Sequence, residues 1–152
     1  MKFAVIYYSK SGITKGIAEK IQAKKAADLF LVEPEDAYGS YISSIARVGK
    51  EKLTGKTARL KTKVSDFSSY DVIFIGFPVW YGTLPSFLQE YIRQCDLKGK
   101  RIIPFTTAGA NGRESALKTL QELLPYSIIT DCFYTSMIKK ADAEKWLAEL
   151  EI

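Results

Sequence analysis

The sequence predicts an α/β domain organised on a parallel sheet, and three observations carry that expectation. Apolar runs of strand length recur along the chain with helical patterns between them. One of them, Asp71-Val72-Ile73-Phe74-Ile75-Gly76-Phe77, is apolar almost without a break, as in a strand buried on both faces. The turns after three strand-like runs are rich in hydroxyl, aromatic or glycine residues, where ligands of open α/β sheets sit.

Taken in order, Lys2–Tyr8 reads as the first strand and Ser11–Ala26 as the first helix, with Ile13, Ile17, Ala18 and Ile21 at helical spacing. Asp28–Val32 is the second strand, closed by Glu33-Pro34 because proline cannot continue a ladder. Tyr38–Leu53 reads as a helix with Tyr41, Ile45, Val48 and Lys52 roughly in register, although Gly49 weakens it. Thr54–Ser65 is polar and basic, a loop with an irregular edge. After the Asp71–Phe77 strand comes the loop Pro78–Gly82, then a helix over Leu84–Cys95. Lys100–Phe105 is the fourth strand and leads into Thr106–Gly112. A helix spans Arg113–Leu124 and stops at Pro125. Ser127–Phe133 is the fifth strand, and Asp142–Leu150 is a closing helix with Trp146, Leu147 and Leu150 inward. Right-handed crossovers are expected throughout.

At 152 residues the chain suits one domain, residues 1–152, with a real core. It has no histidine, which excludes Ser-His and Cys-His hydrolase chemistry and makes a transition-metal site improbable. Cys95 and Cys132 are far apart and form no C-x-x-C, so free thiols are expected. The apolar N-terminus, Phe3 to Tyr8, is too short to span a bilayer and lacks a signal-peptide pattern. A cytoplasmic protein with no membrane association is therefore expected. The net charge of +5 is uneven: between Arg47 and Lys63 seven cations face only Glu51. A solvated helix and loop is the commoner meaning of such a run, and a docking face for an acidic partner is the other. No aromatic interleaving or binding motif points to nucleic acid.

The stretch Val5–Thr14 joins the first strand to a helix N-terminus, where unpaired N–H groups and the helix dipole suit a phosphate. Ser9, Ser11 and Thr14 supply hydroxyls, and Gly12 admits close backbone approach. Capping of the helix by Ser11 or Thr14 is the alternative use of such residues. The stretch has neither the G-x-x-x-x-G-K-[ST] nor the G-x-G-x-x-G spacing, which argues against an ATPase and a Rossmann dehydrogenase. Pro78–Gly82 adds two large aromatics beside a glycine, and Thr106–Gly112 is small and flexible. Phosphate seat plus aromatic loop suggests a mononucleotide.

Those three loops make the chain resemble the short flavodoxin-like family that binds FMN. Val5-Ile6-Tyr7 with Ser9, Gly12, Thr14, Ala18 and Ile21 is similar to the family's first loop. Tyr70–Pro85 resembles its third strand and first ring loop, and Gly99 to Thr107 with the glycines beyond resembles the fourth strand and second ring loop. The resemblance implies a three-layer, doubly wound, five-stranded parallel sheet in the order 2-1-3-4-5. It further implies that Ser9, Lys10, Ser11, Gly12, Ile13 and Thr14 cradle the FMN phosphate. Pro78, Val79, Trp80, Tyr81 and Gly82 then line the isoalloxazine, with Trp80 or Tyr81 stacking on it, and Thr107, Ala108 and Gly109 close the pyrimidine side. Gly82 or a neighbouring peptide offers a carbonyl able to rotate toward reduced N5. No residue is assigned a catalytic role and no metal is expected.

Two departures from the resemblance stand out. The second ring loop has no aromatic residue, and neither ring loop has an acid in a protein that is basic overall. The implied function is a low-potential one-electron carrier, a monomer working between a flavodoxin reductase and an acceptor enzyme. The alternative is an FMN-dependent NAD(P)H:quinone-type oxidoreductase on the same fold, which needs one open flavin face.

Overall fold

The computed structural model describes residues 1–39, 41–55, 58–107, 112–130, 132–136 and 140–152, with backbone alone at 41, 42, 45 and 52. The strands are β1 (Phe3–Tyr7), β2 (Asp28–Leu31), β3 (Val72–Pro78), β4 (Arg101–Thr107), β5 (Ile128–Ile129) and β6 (Phe133–Thr135). The helices are α1 (Ile13–Lys25), α2 (Tyr41–Thr54), α3 (Ser86–Gln94), α4 (Arg113–Leu123) and α5 (Ala143–Glu149). The strands form one sheet in the order β2-β1-β3-β4-β5, with β6 continuing beside β4, and every pairing among them is parallel. This is the expected doubly wound order.

Alternation along the strands divides the core into two. Ala4 and Ile6 of β1 with Ile73, Ile75 and Phe77 of β3 face Val48 of α2, Phe87, Leu88 and Tyr91 of α3, and Leu120 of α4. Val5, Tyr7, Val72, Phe74, Ile103 and Phe105 face Ile17, Ala18 and Ile21 of α1 and Leu147 of α5. All seven residues of β3 are buried, because helices cover it from both sides. There Gly76 lies under the Phe105 ring: a Cβ at position 76 would come within 2.0 Å of it.

Several boundaries move by one to three residues, among them α1, which begins at Ile13 rather than Ser11, and β4, which runs on through Thr107; three departures have a local reason. Helix α2 begins at Tyr41 rather than Tyr38, because Tyr38 is spent on burial outside the helix (6 % exposed). Helix α3 begins at Ser86 rather than Leu84, since Pro85 caps it in an extended conformation and biases its predecessor away from helix. The fifth strand is split. Ile129 pairs with Ile102 and Phe133 with Phe105, so the register on β4 shifts by one residue between β5 and β6. The break falls opposite Ile103-Pro104, and proline has no N–H to give a neighbouring strand.

Val48 is buried as expected, whereas Tyr41, Ile45 and Lys52 have side chains outside the described set. The basic loop after α2 does form an irregular edge: Pro34 and Leu60 make an antiparallel bridge, with Glu35 N–H donating to Arg59 O at 2.8 Å and Lys61 N–H to Glu33 O at 3.0 Å. Helix α5 is capped by Asp142, whose Oδ1 accepts the N–H groups of Glu144 and Lys145, and Trp146 stacks on Phe133 at 4.6 Å. Among the described residues no helix is long and apolar enough to cross a membrane.

Candidate functional site

Because β1, β3 and β4 are parallel and in register, their carboxyl ends deliver Ser9–Thr14, Pro78–Gly82 and Thr107 to one edge of the sheet. Two links tie that edge together. Val79 N–H donates to Thr107 O at 2.9 Å, and the hydroxyls of Thr14 and Thr107 lie 2.7 Å apart. Both threonines are buried.

Gly12, not Ser11 or Thr14, occupies the cap position of α1, at φ 89° and without a side-chain cap. The first helical bond runs from Gly16 N–H to Gly12 O, so the amides of Ile13, Thr14 and Lys15 open α1 with no intrahelical acceptor. Ser9 Oγ instead accepts the Gly12 N–H at 3.1 Å and holds the turn. Thr14 points into the fold rather than across its own helix start. The Thr14–Thr107 pair carries two hydroxyl protons and spends one on its mutual bond, leaving the other uncommitted. Nothing lies within 4 Å of where a Cβ on Gly12 would be, so the turn is open above the glycine. No carboxylate lies in the turn itself. The edge can thus receive an anion through backbone N–H groups and hydroxyls. Lys10 turns away from α1: its Nζ donates to Tyr38 O at 2.9 Å and also to Gly39 O.

The loop after β3 closes as a tight turn. Trp80 and Thr83 exchange N–H···O bonds of 3.0 and 3.1 Å, and both central residues, Tyr81 (φ 50°) and Gly82 (φ 70°), are left-handed. The turn sends its two aromatics in opposite directions. Trp80 packs inward, 5.6 Å from the Tyr8 ring and 5.0 Å from Tyr38. Tyr81 is 50 % exposed and lies against Gly49 of α2. Pro78 ends β3 and Val79 is buried, so Val79 contributes backbone rather than side chain to the rim. A Cβ on Gly112 would meet Gly82 Cα at 2.5 Å, so the start of α4 packs directly against the turn. Of the remaining predicted site residues, Thr107 is at the rim, whereas Ala108 and Gly109 lie outside the described residues.

A part-buried polar network beside Trp80 escapes a motif-based reading. The Glu51 carboxylate accepts from Tyr38 Oη (3.0 and 3.1 Å), Arg47 Nε (3.1 Å) and Ser86 Oγ (3.2 Å). The Arg47 guanidinium lies 4.1 Å from the Tyr38 ring centroid. Its one legible signal is the i,i+4 spacing of Arg47 and Glu51 in an otherwise basic run. Burial first, and Glu51 second, push the Tyr38 phenol far up, and burial lifts Tyr8 to about 12. Both stay neutral near pH 7 and act as packing and hydrogen-bonding groups, not acids. Cys95, pushed up to about 12 by burial, is a free thiol, as is Cys132. Two clefts are lined by none of the loop residues, one of about 190 Å³ between α1 and α5 and one of about 280 Å³ beside α2.

The flavodoxin family model matches residues 2–150. Two solved structures superpose closely. A candidate flavoprotein from Bacteroides uniformis is 25 % identical, with 97 % of this chain and 96 % of that one covered and a TM-score of 0.82. One from Bacteroides eggerthii is 27 % identical, with 97 % and 94 % covered and a TM-score of 0.81. A flavoprotein from Lactobacillus acidophilus, solved in complex with FMN, shares the fold at 22 % identity, with 95 % and 97 % covered and a TM-score of 0.76. No curated protein matches. A family match over nearly the whole chain, on a sheet of this strand order, makes the chain a member of the flavodoxin family.

Proposed function

We propose that this protein binds FMN at the carboxyl edge of its sheet and carries single electrons, at low potential, between a reductase and an acceptor protein. The observation that carries the reading is the convergence at one edge of an uncapped helix start, a spare hydroxyl proton and an outward-facing aromatic turn. The residues present fit the cofactor. The amides of Ile13 to Lys15, the Thr14–Thr107 pair and the Ser9-held turn supply donors for a phosphate, with open space above Gly12. Tyr81, on the exposed side of its turn, offers the aromatic face, while Trp80 braces the turn from within. When bound, the flavin supplies the one-electron chemistry, and the protein's part is to hold, orient and shield it. Gly82 makes rotation of a neighbouring peptide inexpensive, which lets a backbone carbonyl serve as an adjustable acceptor at the ring. The FMN found in the Lactobacillus acidophilus flavoprotein supports the cofactor assignment.

The reductase alternative draws on a single observation, the absence of an aromatic residue between Thr106 and Gly112. An anaerobic reductive titration of the FMN-loaded protein, followed by absorbance and repeated with NADPH alone, separates the two. Carriage predicts a long-wavelength band that accumulates at half reduction, and no direct bleaching by NADPH. Rapid two-electron bleaching by NADPH without that band would make the protein a reductase.

A further inference from the structure

None of the residues assigned to the flavin lies on α2, yet the exposed side of that helix borders the aromatic turn. Ala46, Gly49, Lys50 and Leu53 share one helical face, since residues three and four apart are neighbours. Gly49 lies under Tyr81, and Leu53 is 90 % exposed one turn further along the same face. Small and apolar groups thus occupy the middle of the face. Lys50 and Arg59 stand at its border, where with Arg47, Asp36 and Thr54 they line the cleft of about 280 Å³. Glu51 is consumed by Arg47, Tyr38 and Ser86, and Glu33 lies 3.8 Å from Lys61. Lys50, Arg59 and Lys63 make no ion pair among the described residues, against the remaining carboxylates Glu35 and Asp36.

We infer that this face, centred on Leu53 and Tyr81 and bordered by Lys50 and Arg59, docks a protein redox partner that presents carboxylates around an apolar centre. The inference rests on the flavin-carrier reading. Electron transfer falls off steeply with distance, so a partner must sit beside the aromatic turn, and α2 meets that turn through Tyr81 on Gly49 and through the chain of contacts Trp80–Tyr38–Arg47. An apolar centre inside a polar rim is how protein interfaces are built, and opposite charge steers the encounter. A nucleic-acid track would instead interleave cations with stacking aromatics. Each encounter passes one electron from reduced flavin to the partner's oxidised centre, and no bond is made or broken.

Ferricyanide, a trianionic one-electron oxidant, reads the charge of the exit face. The reduced, FMN-loaded protein is mixed with it in stopped flow at rising ionic strength. The wild-type rate falls with salt. The double variant K50E/R59E loses roughly tenfold at low salt and flattens the salt dependence. K24E/K98E makes the same change in net charge at the far end of the sheet and stays close to wild type. Equal effects of the two double variants would overturn the inference. Amide NMR with poly-L-glutamate then locates binding. Shifts centred on residues 46–54 and 81 support the inference, whereas shifts on α1 or none overturn it. Tighter binding of duplex DNA or phosphatidylglycerol vesicles to that face also overturns it. Failure of the wild type to take up FMN would instead remove the carrier reading, and the inference with it.

Discussion

At the scale of single residues the buried pair Thr14–Thr107 matters most, because it joins the helix start to the end of β4 and keeps one proton in reserve. Replacing Thr14 by valine keeps the shape, removes a hydroxyl and leaves Thr107 with no partner there. FMN binding is expected to weaken by about tenfold, equivalent to about 1.4 kcal/mol, in a flavin-fluorescence titration. Unchanged affinity in a folded variant would exclude the pair from the site. The ring loops carry no acid, and the protein is basic, so little charge opposes a reduced, anionic flavin. The potential for the second electron is accordingly expected to be less negative than is usual for flavodoxins, and a potentiometric titration at the family's low end would contradict this. Thr14 was visible in the sequence as a hydroxyl at a helix start. Its partner across the site was not, because a contact between a helix start and a strand end 93 residues apart depends on strand register.

At the scale of elements the close packing of the Tyr81-Gly82 turn on the start of α4 sets the shape of the rim. Gly112 is left-handed at φ 98° and touches Gly82, so Gly112→Ala combines backbone strain with a clash. It is expected to cost about 1–3 kcal/mol in chemical denaturation and to weaken FMN binding more than a remote substitution of equal cost. Glu51→Ala strands Tyr38, Arg47 and Ser86, and a loss of about 1–3 kcal/mol is expected from the same measurement. Strand and helix identities were legible because apolar periodicity reports burial. Where they missed, another force acted: Pro85 delayed α3, Pro104 coincides with the break in the fifth strand, and burial drew Tyr38 out of α2. The opposite directions of Trp80 and Tyr81 could not be read from their adjacency, since the left-handed turn between them decides it.

For the whole molecule, stability should depend on alkaline pH. Cys95 and Tyr8 hold their protons up to about 12 in the fold, above ordinary values of 9.0 and 10.0. Protons are thus bound more tightly by the folded chain, and the stabilisation is complete below about pH 9 and lost as pH rises toward 12. Denaturation midpoints measured between pH 8 and 11 are expected to fall, and Cys95→Ala should flatten the decline. A flat profile in the wild type would contradict the burial assigned to both groups. The central claim is that three loops at one sheet edge bind FMN together. The most direct test is an amide NMR titration of the apoprotein with FMN. Binding with shifts concentrated on Ser9–Thr14, Trp80–Gly82 and Thr107 is predicted, and no binding, or shifts centred on the cleft between α1 and α5, would contradict the account.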